Sequence, residues 1–116
     1  MNIRIKRVYE APGTDDGTRI LVDGLWPRGL SKAQARVNLW LKEIAPTAGL
    51  RAWFGHDPEN WAEFRKRYKA ELEKNRALVL KLGELLRRET VTLVYAAKDQ
   101  QRNNAVVLKE HLEKIR

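Results

Sequence analysis

The chain has 116 residues, 43% hydrophobic and 33% charged, which is enough for one packed domain over residues 1–116 with a radius of gyration of roughly 13 Å. The absence of cysteine excludes disulfides, zinc knuckles, thiol catalysis and iron–sulfur ligation. Lys and Arg outnumber Asp and Glu by 23 to 15, a net charge of +8 that raises the question of nucleic-acid binding.

Two short strands are predicted near the N-terminus. The first alternates Ile3 and Ile5 with basic residues and runs towards Tyr9. The second, residues 20–22, is apolar throughout, which suits a buried central position in a sheet. Their linker is short and turn-rich, so the sequence leaves open whether the two strands are parallel. Residues 25–29 then form irregular chain, because a proline disfavours helix at the residue before it.

A short helix is predicted next. Ser31 and Gln34 have the spacing of a capping box, in which each side chain bonds to the backbone amide of the other residue. Apolar side chains then continue at helical positions as far as Pro46, and we expect Trp40 among them to lie in the core. They are Leu39, Trp40 and Ile44.

A second short helix is predicted over residues 48–54, with Thr47 as its N-cap and Gly55 just past its end. Asp57 as N-cap and Pro58 in the first turn then start a long helical segment. The apolar stripe of this segment consists of Trp61, Phe64, Tyr68, Leu72, Val79, Leu82 and Leu86, at helical spacing.

The long helical segment has two predicted weak points, Asn75 and Gly83, so that one kinked helix and two helices both fit. Residues 91–97 follow as the clearest strand, and after a polar segment a final amphipathic helix is built on Ala105, Leu108, Leu112 and Ile115. The helical segment before this strand is long enough for a right-handed parallel crossover. The order of elements therefore predicts an α/β fold: a small single-domain sandwich whose short, mostly parallel sheet is flanked by helices.

Polar chain follows two of the predicted strands, at the edge where open α/β sheets bind their ligands. The residues are Asp23, Trp26 and Arg28 after one strand, and Lys98, Asp99, Arg102 and Asn103 after the other. If the strands are parallel neighbours, these side chains converge beside the positive N-terminus of the last helix. We therefore expect a small anionic ligand, bearing a phosphate or a carboxylate. The basic side chains would neutralise it, the aspartates would orient them or accept hydroxyls, and the indole would form a wall.

A structural role competes with this function for several of these residues. Asp99 or Asn103 can act simply as the N-cap of the last helix. Asp23 can pair with Arg28 or Lys98 and do no more than hold the loops together. The sequence does not decide between these alternatives, and it does not decide whether a reaction is catalysed.

His56 is the candidate general base, because histidine exchanges protons near neutral pH. No metal site is predicted, since the other histidine, His111, is distant in sequence and lies on a helix that we expect to be exposed. No cofactor is predicted, because the chain has neither a phosphate-binding loop nor a dinucleotide glycine pattern. No apolar segment approaches the roughly 20 residues of a membrane helix, and residues 2–10 lack the apolar core of a signal peptide. We expect a cytoplasmic protein without a membrane partner, of undetermined oligomeric state.

Two other functions remain open. The positive charge is spread along the chain, and its densest cluster, residues 65–69, lies among acids at helical spacing that can pair with it. This pattern favours a solvated helix face over a nucleic-acid footprint, although nucleic-acid binding stays an alternative. A protein-interaction module that docks through the aromatic loops around Trp26 and Trp53 is the other alternative.

Several motifs, in this order, resemble the YeaO-like branch of the domain-of-unknown-function family 488. They are residues 21–29, 45–47, 50–54, 56–58 and 92–99, together with Phe64, Arg67, Tyr68, Glu71, Leu72, Asn103, Ala105, Val107 and Leu108. The resemblance extends over nearly the whole chain. It implies an α/β domain of bacterial or archaeal type, without an established activity, in which the loops after the second and last strands carry the motifs.

The resemblance also implies two departures at the expected site. The family often has arginine at the position of Gly24, so one expected cation is missing here. It often has histidine where this chain has Arg102, and arginine cannot shuttle a proton near neutral pH. If that histidine is catalytic in relatives, this chain binds a ligand without turning it over.

Overall fold

A computed structural model describes residues 3–115, so that Met1, Asn2 and Arg116 of the predicted domain lie outside the described residues. The strands are β1 (Ile3–Arg7), β2 (Thr18–Leu21), β3 (Leu39–Trp40) and β4 (Val91–Tyr95). They form one parallel sheet in the order β1-β4-β2-β3. The question left open by the sequence is thereby answered: β1 and β2 are parallel, and β4 lies between them.

The helices are α1 (Lys32–Ala35), α2 (Ala48–Phe54), α3 (Trp61–Lys74), α4 (Arg76–Arg88) and α5 (Asn104–Lys114). Single turns of 3-10 helix occur at Thr14–Asp16, Lys42–Ile44 and Pro58–Asn60. The predicted caps are confirmed at Ser31, Thr47 and Gly55. Asp57 caps the 3-10 turn Pro58–Asn60, and the long helix α3 begins only after this turn, at Trp61. The α/β class and the mostly parallel sheet are likewise confirmed, with the sheet between two layers of covering chain.

One predicted helical segment is wrong, because Leu39 and Trp40 form β3 instead of helical turns. Helix α1 already ends at Arg36, whose φ of 49° is left-handed. The guanidinium of Arg19 on β2 donates to the carbonyls of residues 35 and 36, and the amide of Asn38 donates to the Arg19 carbonyl, 2.8 Å away. These bonds turn the chain back alongside β2, which short-range apolar spacing could not indicate.

Asn75 breaks the long helical segment into α3 and α4, as one of the two predicted alternatives had it. Its backbone amide donates to the carbonyls of Glu71 and Leu72, and its side-chain amide donates to the Glu43 carbonyl at 2.9 Å. Gly83 is not a weak point, because α4 runs through it and a Cβ there would stand 3.6 Å from Ile115.

Successive residues of the central strands face opposite sides of the sheet, and this places the core on both of them. Ile20, Leu93 and Tyr95 belong to the larger buried cluster, which α2, α3, α4 and α5 cover. Leu21 and Val94 belong to a smaller cluster beneath residues 26–40. No helix within residues 3–115 is long and apolar enough to cross a membrane.

His111 corrects another expectation, since it is buried against α3 and not exposed. Its Nε2 atom lies 3.7 Å from a carboxylate oxygen of Glu73. Burial lowers the pKa of His111 below that of a free histidine, although the Glu73 charge acts in the opposite direction. The side chain therefore belongs to the α3–α5 interface, away from the expected site.

Candidate functional site

A pocket of about 610 Å³ opens at the carboxyl ends of β1, β2 and β4. Its apolar walls come from Tyr9, Leu25, Trp26, Pro27, Pro46, Phe54, Phe64, Ala96 and Ala97. Its polar lining consists of Asp23, Arg28, Arg51, His56, Lys98, Asp99, Asn103 and Asn104, with Gly24 between them. Mostly apolar walls with a few convergent polar groups, in this volume range, are typical of small-molecule sites.

Two distant segments of chain meet at the bottom of this pocket. The Asp23 carboxylate accepts a hydrogen bond from the backbone amide of Ala96 at 2.8 Å, after β4. The side-chain amide of Asn104 donates to the Val22 carbonyl at 2.9 Å, at the end of β2. These two bonds lock the ends of neighbouring parallel strands together, so the loops expected to converge do line one cavity.

Asp23 is a partly buried carboxyl group of the pocket whose pKa is shifted upwards. Burial raises its pKa, while the Ala96 amide, the Asn104 side chain and the nearby charges of Arg51 and His56 oppose that rise. The expected pairing with Arg28 or Lys98 does not occur, because Asp23 forms no ion pair among the described residues. A perturbed acid in a cleft is a common mark of a functional site.

Three basic side chains line the pocket without a carboxylate partner. Arg28, Arg51 and Lys98 are exposed at its mouth, and none of them joins an ion pair within residues 3–115. The basic cluster of residues 65–69 behaves differently: Arg65 and Lys69 pair with Glu110 of α5, and Arg67 pairs with Glu63 at 2.9 Å. Three of the four basic residues of this cluster are thus paired with acids, whereas the three at the pocket have no such pairing in the described chain.

Arg51 fills the space over Gly24, where sequence comparison led us to expect a missing cation. Its Nη1 atom lies 2.9 Å from the position that a Cβ on residue 24 would take. Arg51 stands in the last turn of α2 and was not among the predicted site residues. Its presence in motif 50–54 was the only available signal, because a solvent-facing arginine on a short helix has many explanations.

Three predicted residues of the β4–α5 loop are engaged in holding that loop. Asp99 accepts the backbone amides of Gln101 and Arg102 at 2.9 and 3.0 Å, and it pairs with the Arg102 side chain. These bonds keep the pKa of Asp99 below its usual range. Asn103 is the N-cap of α5, since its side chain accepts the amide of Val106 at 3.0 Å. Arg102 is not among the lining residues of the pocket.

The aromatic residues at the site are held by hydrogen bonds. Trp26 forms part of the wall, and its indole donates to the Leu30 carbonyl at 2.8 Å. It meets Trp40 edge to face at 5.6 Å, in the smaller core cluster. Trp53, in contrast, is exposed beneath the guanidinium of Arg67, 4.3 Å from its ring centre. Trp26 thus lines the pocket, whereas Trp53 does not.

His56 lines the pocket from the turn after α2. Its φ of 56° is left-handed, a conformation that costs free energy for any residue except glycine. Its ring lies 5.9 Å from that of Phe54. The described residues contain no cluster of three side chains that would ligate a metal ion. His56 is exposed and lines the same pocket as Asp23.

Comparison with known proteins identifies the family. The uncharacterised protein Rv3073c of Mycobacterium tuberculosis (strain H37Rv) is 44% identical over 110 residues, 95% of this chain and 92% of that protein. The uncharacterised protein YeaO of Escherichia coli (strain K12) is 40% identical over 115 residues, 99% of this chain and 100% of that protein. No solved structure gives a significant match. The family model described as the inactive DUF488-N3 subclade matches residues 2–115, and the chain belongs to that subclade.

Proposed function

We propose that the pocket at the carboxyl edge of the sheet binds a small organic anion. One observation carries the proposal: Arg28, Arg51 and Lys98 surround one cavity, and none of them has a carboxylate partner within residues 3–115. Three like charges left together repel one another, and an anionic ligand removes that repulsion. Clefts lined by one sign of charge also raise the local concentration of oppositely charged ligands.

The size of the pocket supports a small organic molecule. A volume of about 610 Å³ falls within the roughly 300–1,000 Å³ of small-molecule sites. The rings of Phe54 and Phe64 offer apolar surface to the hydrocarbon part of a ligand. A bare inorganic ion would leave this surface uncovered, so the proposal favours an anion with a carbon skeleton.

Binding without turnover is the form of the proposal that these residues support best. Asp99 and Asn103 are occupied in holding the loop, and Arg102 cannot exchange protons near neutral pH. His56 stays the candidate general base, but no serine, threonine or cysteine lines the described pocket beside it as a nucleophile. The description of the subclade as inactive agrees with this view.

A thermal-shift screen against phosphate- and carboxylate-bearing compounds tests the proposal. A ligand present at a hundred times its Kd stabilises the folded state by about 2.7 kcal/mol, a shift of several degrees for a domain of this size. The double variant Arg28→Ala/Lys98→Ala should lose the ligand-induced shift. Without ligand, it should melt at the same temperature as the wild type. Lys66→Ala/Lys81→Ala is the matched control, because it removes the same charge from exposed positions of α3 and α4.

The two variants separate specific binding from general charge. If the control loses the shift as fully as the pocket variant, the anion is attracted by net charge alone and the proposed site is wrong. If no compound of a broad library stabilises the wild-type protein, the proposed function itself is wrong.

A further inference from the structure

Arg51 and Asp23 line the same pocket, and the Nη1 atom of Arg51 lies 2.9 Å from the position of a Cβ on Gly24, the residue after Asp23. Burial raises the pKa of Asp23, and the charge of Arg51 opposes that rise. No ion pair joins them in the described chain. A ligand in the pocket can therefore meet a cation and a carboxylate that do not already neutralise each other in an ion pair.

Gly24 determines where the Arg51 guanidinium can lie. A Cβ on residue 24 would stand 2.9 Å from Nη1 of Arg51, closer than Cβ atoms come to other atoms in proteins. Gly24 is not among the residues with positive φ, so the backbone there would accept alanine. The position requires the absence of a side chain, because a Cβ on residue 24 would displace the guanidinium of Arg51 from its observed position.

We infer that the ligand of this pocket is a carboxylate with a hydroxyl or amine on the neighbouring carbon, its carboxylate held by Arg51 and its donor by Asp23. The inference rests on the proposed anion-binding function and names the class of ligand. A planar guanidinium binds a carboxylate through two parallel hydrogen bonds, which gives both strength and orientation.

The hydrogen bonds of Asp23 explain why the ligand carries a donor. An ionised carboxylate only accepts hydrogen bonds, and it has about four positions for them. The Ala96 amide occupies one of these positions. A ligand with only an anionic group would meet repulsion from Asp23, and a neutral polyol would leave Arg51 without a counter-charge. A 2-hydroxy or 2-amino acid satisfies both groups together.

Lactate and propionate, which differ by one hydroxyl group, test the donor. Chemical-shift titrations of the wild-type protein should give a Kd for lactate about tenfold or more below that for propionate, since a hydrogen bond to a charged group is worth about that much. Equal affinities for the two acids would show that Asp23 accepts no hydrogen bond from the ligand and would overturn this part of the inference.

Gly24→Ala tests whether the position of the Arg51 guanidinium matters for binding. It should weaken lactate binding about tenfold by displacing the guanidinium while leaving its charge in place. Gly49→Ala is the matched control, because it adds the same methyl group in open space on the same helix, and it should bind lactate as the wild type does. Arg51→Met removes the charge altogether. It should weaken lactate binding even if the displaced guanidinium of Gly24→Ala can still contact the ligand.

The outcomes distinguish this inference from the proposed function. If both Gly24→Ala and Arg51→Met bind lactate as tightly as the wild type, Arg51 is not the anchor and the inference is wrong. If the wild-type protein binds neither lactate nor propionate, the inference is also wrong. The proposed function then stands or falls separately, on whether another anion of the thermal-shift screen depends on Arg28 and Lys98.

Discussion

The hydroxyl of Tyr9 donates a hydrogen bond to the backbone carbonyl of Arg28, 2.8 Å away, and ties the end of β1 to the loop after β2. The guanidinium of Arg7 lies 5.1 Å from the centre of the Tyr9 ring, and it also donates to the carbonyls of Ala96 and Ala97. Arg7, the last residue of β1, and Tyr9, just after it, therefore hold both loops that form the pocket, although neither was a predicted site residue.

Tyr9→Phe should weaken anion binding while leaving stability nearly unchanged. The substitution keeps the aromatic ring and removes the bond to the Arg28 carbonyl, so the loop loses a restraint and binding must order it again. We expect the Kd of an anion that stabilises the wild type to rise about threefold to tenfold, with a loss of stability below about 1 kcal/mol because the bond is exposed. Isothermal titration calorimetry measures the first and thermal unfolding the second; an unchanged Kd would show that other contacts suffice to hold the loop.

Asp23→Asn should remove a pH dependence of stability. Because burial raises the pKa of Asp23 in the folded protein above its unfolded value near 3.8, the folded state binds the proton more tightly. This contribution to the free energy of unfolding is complete below that value and is lost as pH rises through the raised pKa. Asparagine can still accept the Ala96 amide but does not titrate.

Denaturant unfolding of the two proteins at a series of pH values upwards from 3.8 measures this effect. The stability of the wild type relative to Asp23→Asn should fall as pH rises. Parallel stability curves for the two proteins would show that Asp23 titrates as a free carboxyl group.

Asp16→Asn should be strongly destabilising at neutral pH. Asp16 and Arg19 form an ion pair of 2.7 Å in which the two side chains are 8% and 4% exposed, so loss of the carboxylate leaves a buried guanidinium charge without its partner. Such losses cost roughly 3–5 kcal/mol, and the carbonyl partners that Arg19 retains place this case near the lower end.

The acid limb of the stability curve offers a second measurement on Asp16. Burial alone would raise its pKa, but hydrogen bonds from the Gly13 amide, Arg19 and Lys6 bring it below the usual value of 3.8. The stabilisation is therefore present above that pH and is lost as pH falls through the lowered pKa. A variant that unfolds in urea at the midpoint of the wild type would contradict a structural role for the pair.

Tyr68→Phe should cost about 1–2 kcal/mol of stability. The Tyr68 hydroxyl is fully buried and donates to the Ile44 carbonyl at 2.7 Å, so phenylalanine leaves that carbonyl without a partner. Burial also raises the pKa of Tyr68 far above that of a free tyrosine, so the hydroxyl stays protonated and the cost should not vary between pH 6 and 9. Urea unfolding at several pH values measures the difference, and a cost below about 0.3 kcal/mol would mean that the carbonyl finds another donor.

The parts of the fold that sequence predicted well are those governed by neighbours in the chain. The capping box of Ser31 and Gln34 and the left-handed Gly55 depend on interactions that span three or four residues. The same holds for Asn103, which the sequence offered as either a cap or a ligand residue and which caps α5. Such local interactions form in the same way whatever tertiary contacts surround them, so the sequence alone predicts them.

The parts that sequence could not predict depend on contacts between distant segments. The two residues of β3 are too few to show a period, and Arg19 draws them into the sheet. His111 is buried because α3 lies over it, which its own charged neighbours in sequence do not indicate. Arg51 reaches the pocket because α2 packs beside Gly24. This contact joins two segments that are distant in sequence, so no local pattern predicts it.

The order β1-β4-β2-β3 has a consequence for how the protein is made on the ribosome. Residues 3–7 and residues 18–21 each pair with strand β4, residues 91–95. Neither β1 nor β2 can therefore form its pairing in the sheet until β4 has been synthesised. Pairing across such a sequence separation is slow, because a long loop must close before any contact compensates for the lost chain entropy. A nascent chain arrested before residue 91 should therefore stay sensitive to protease and open to chaperones, with its aromatic helices formed locally and its sheet still absent.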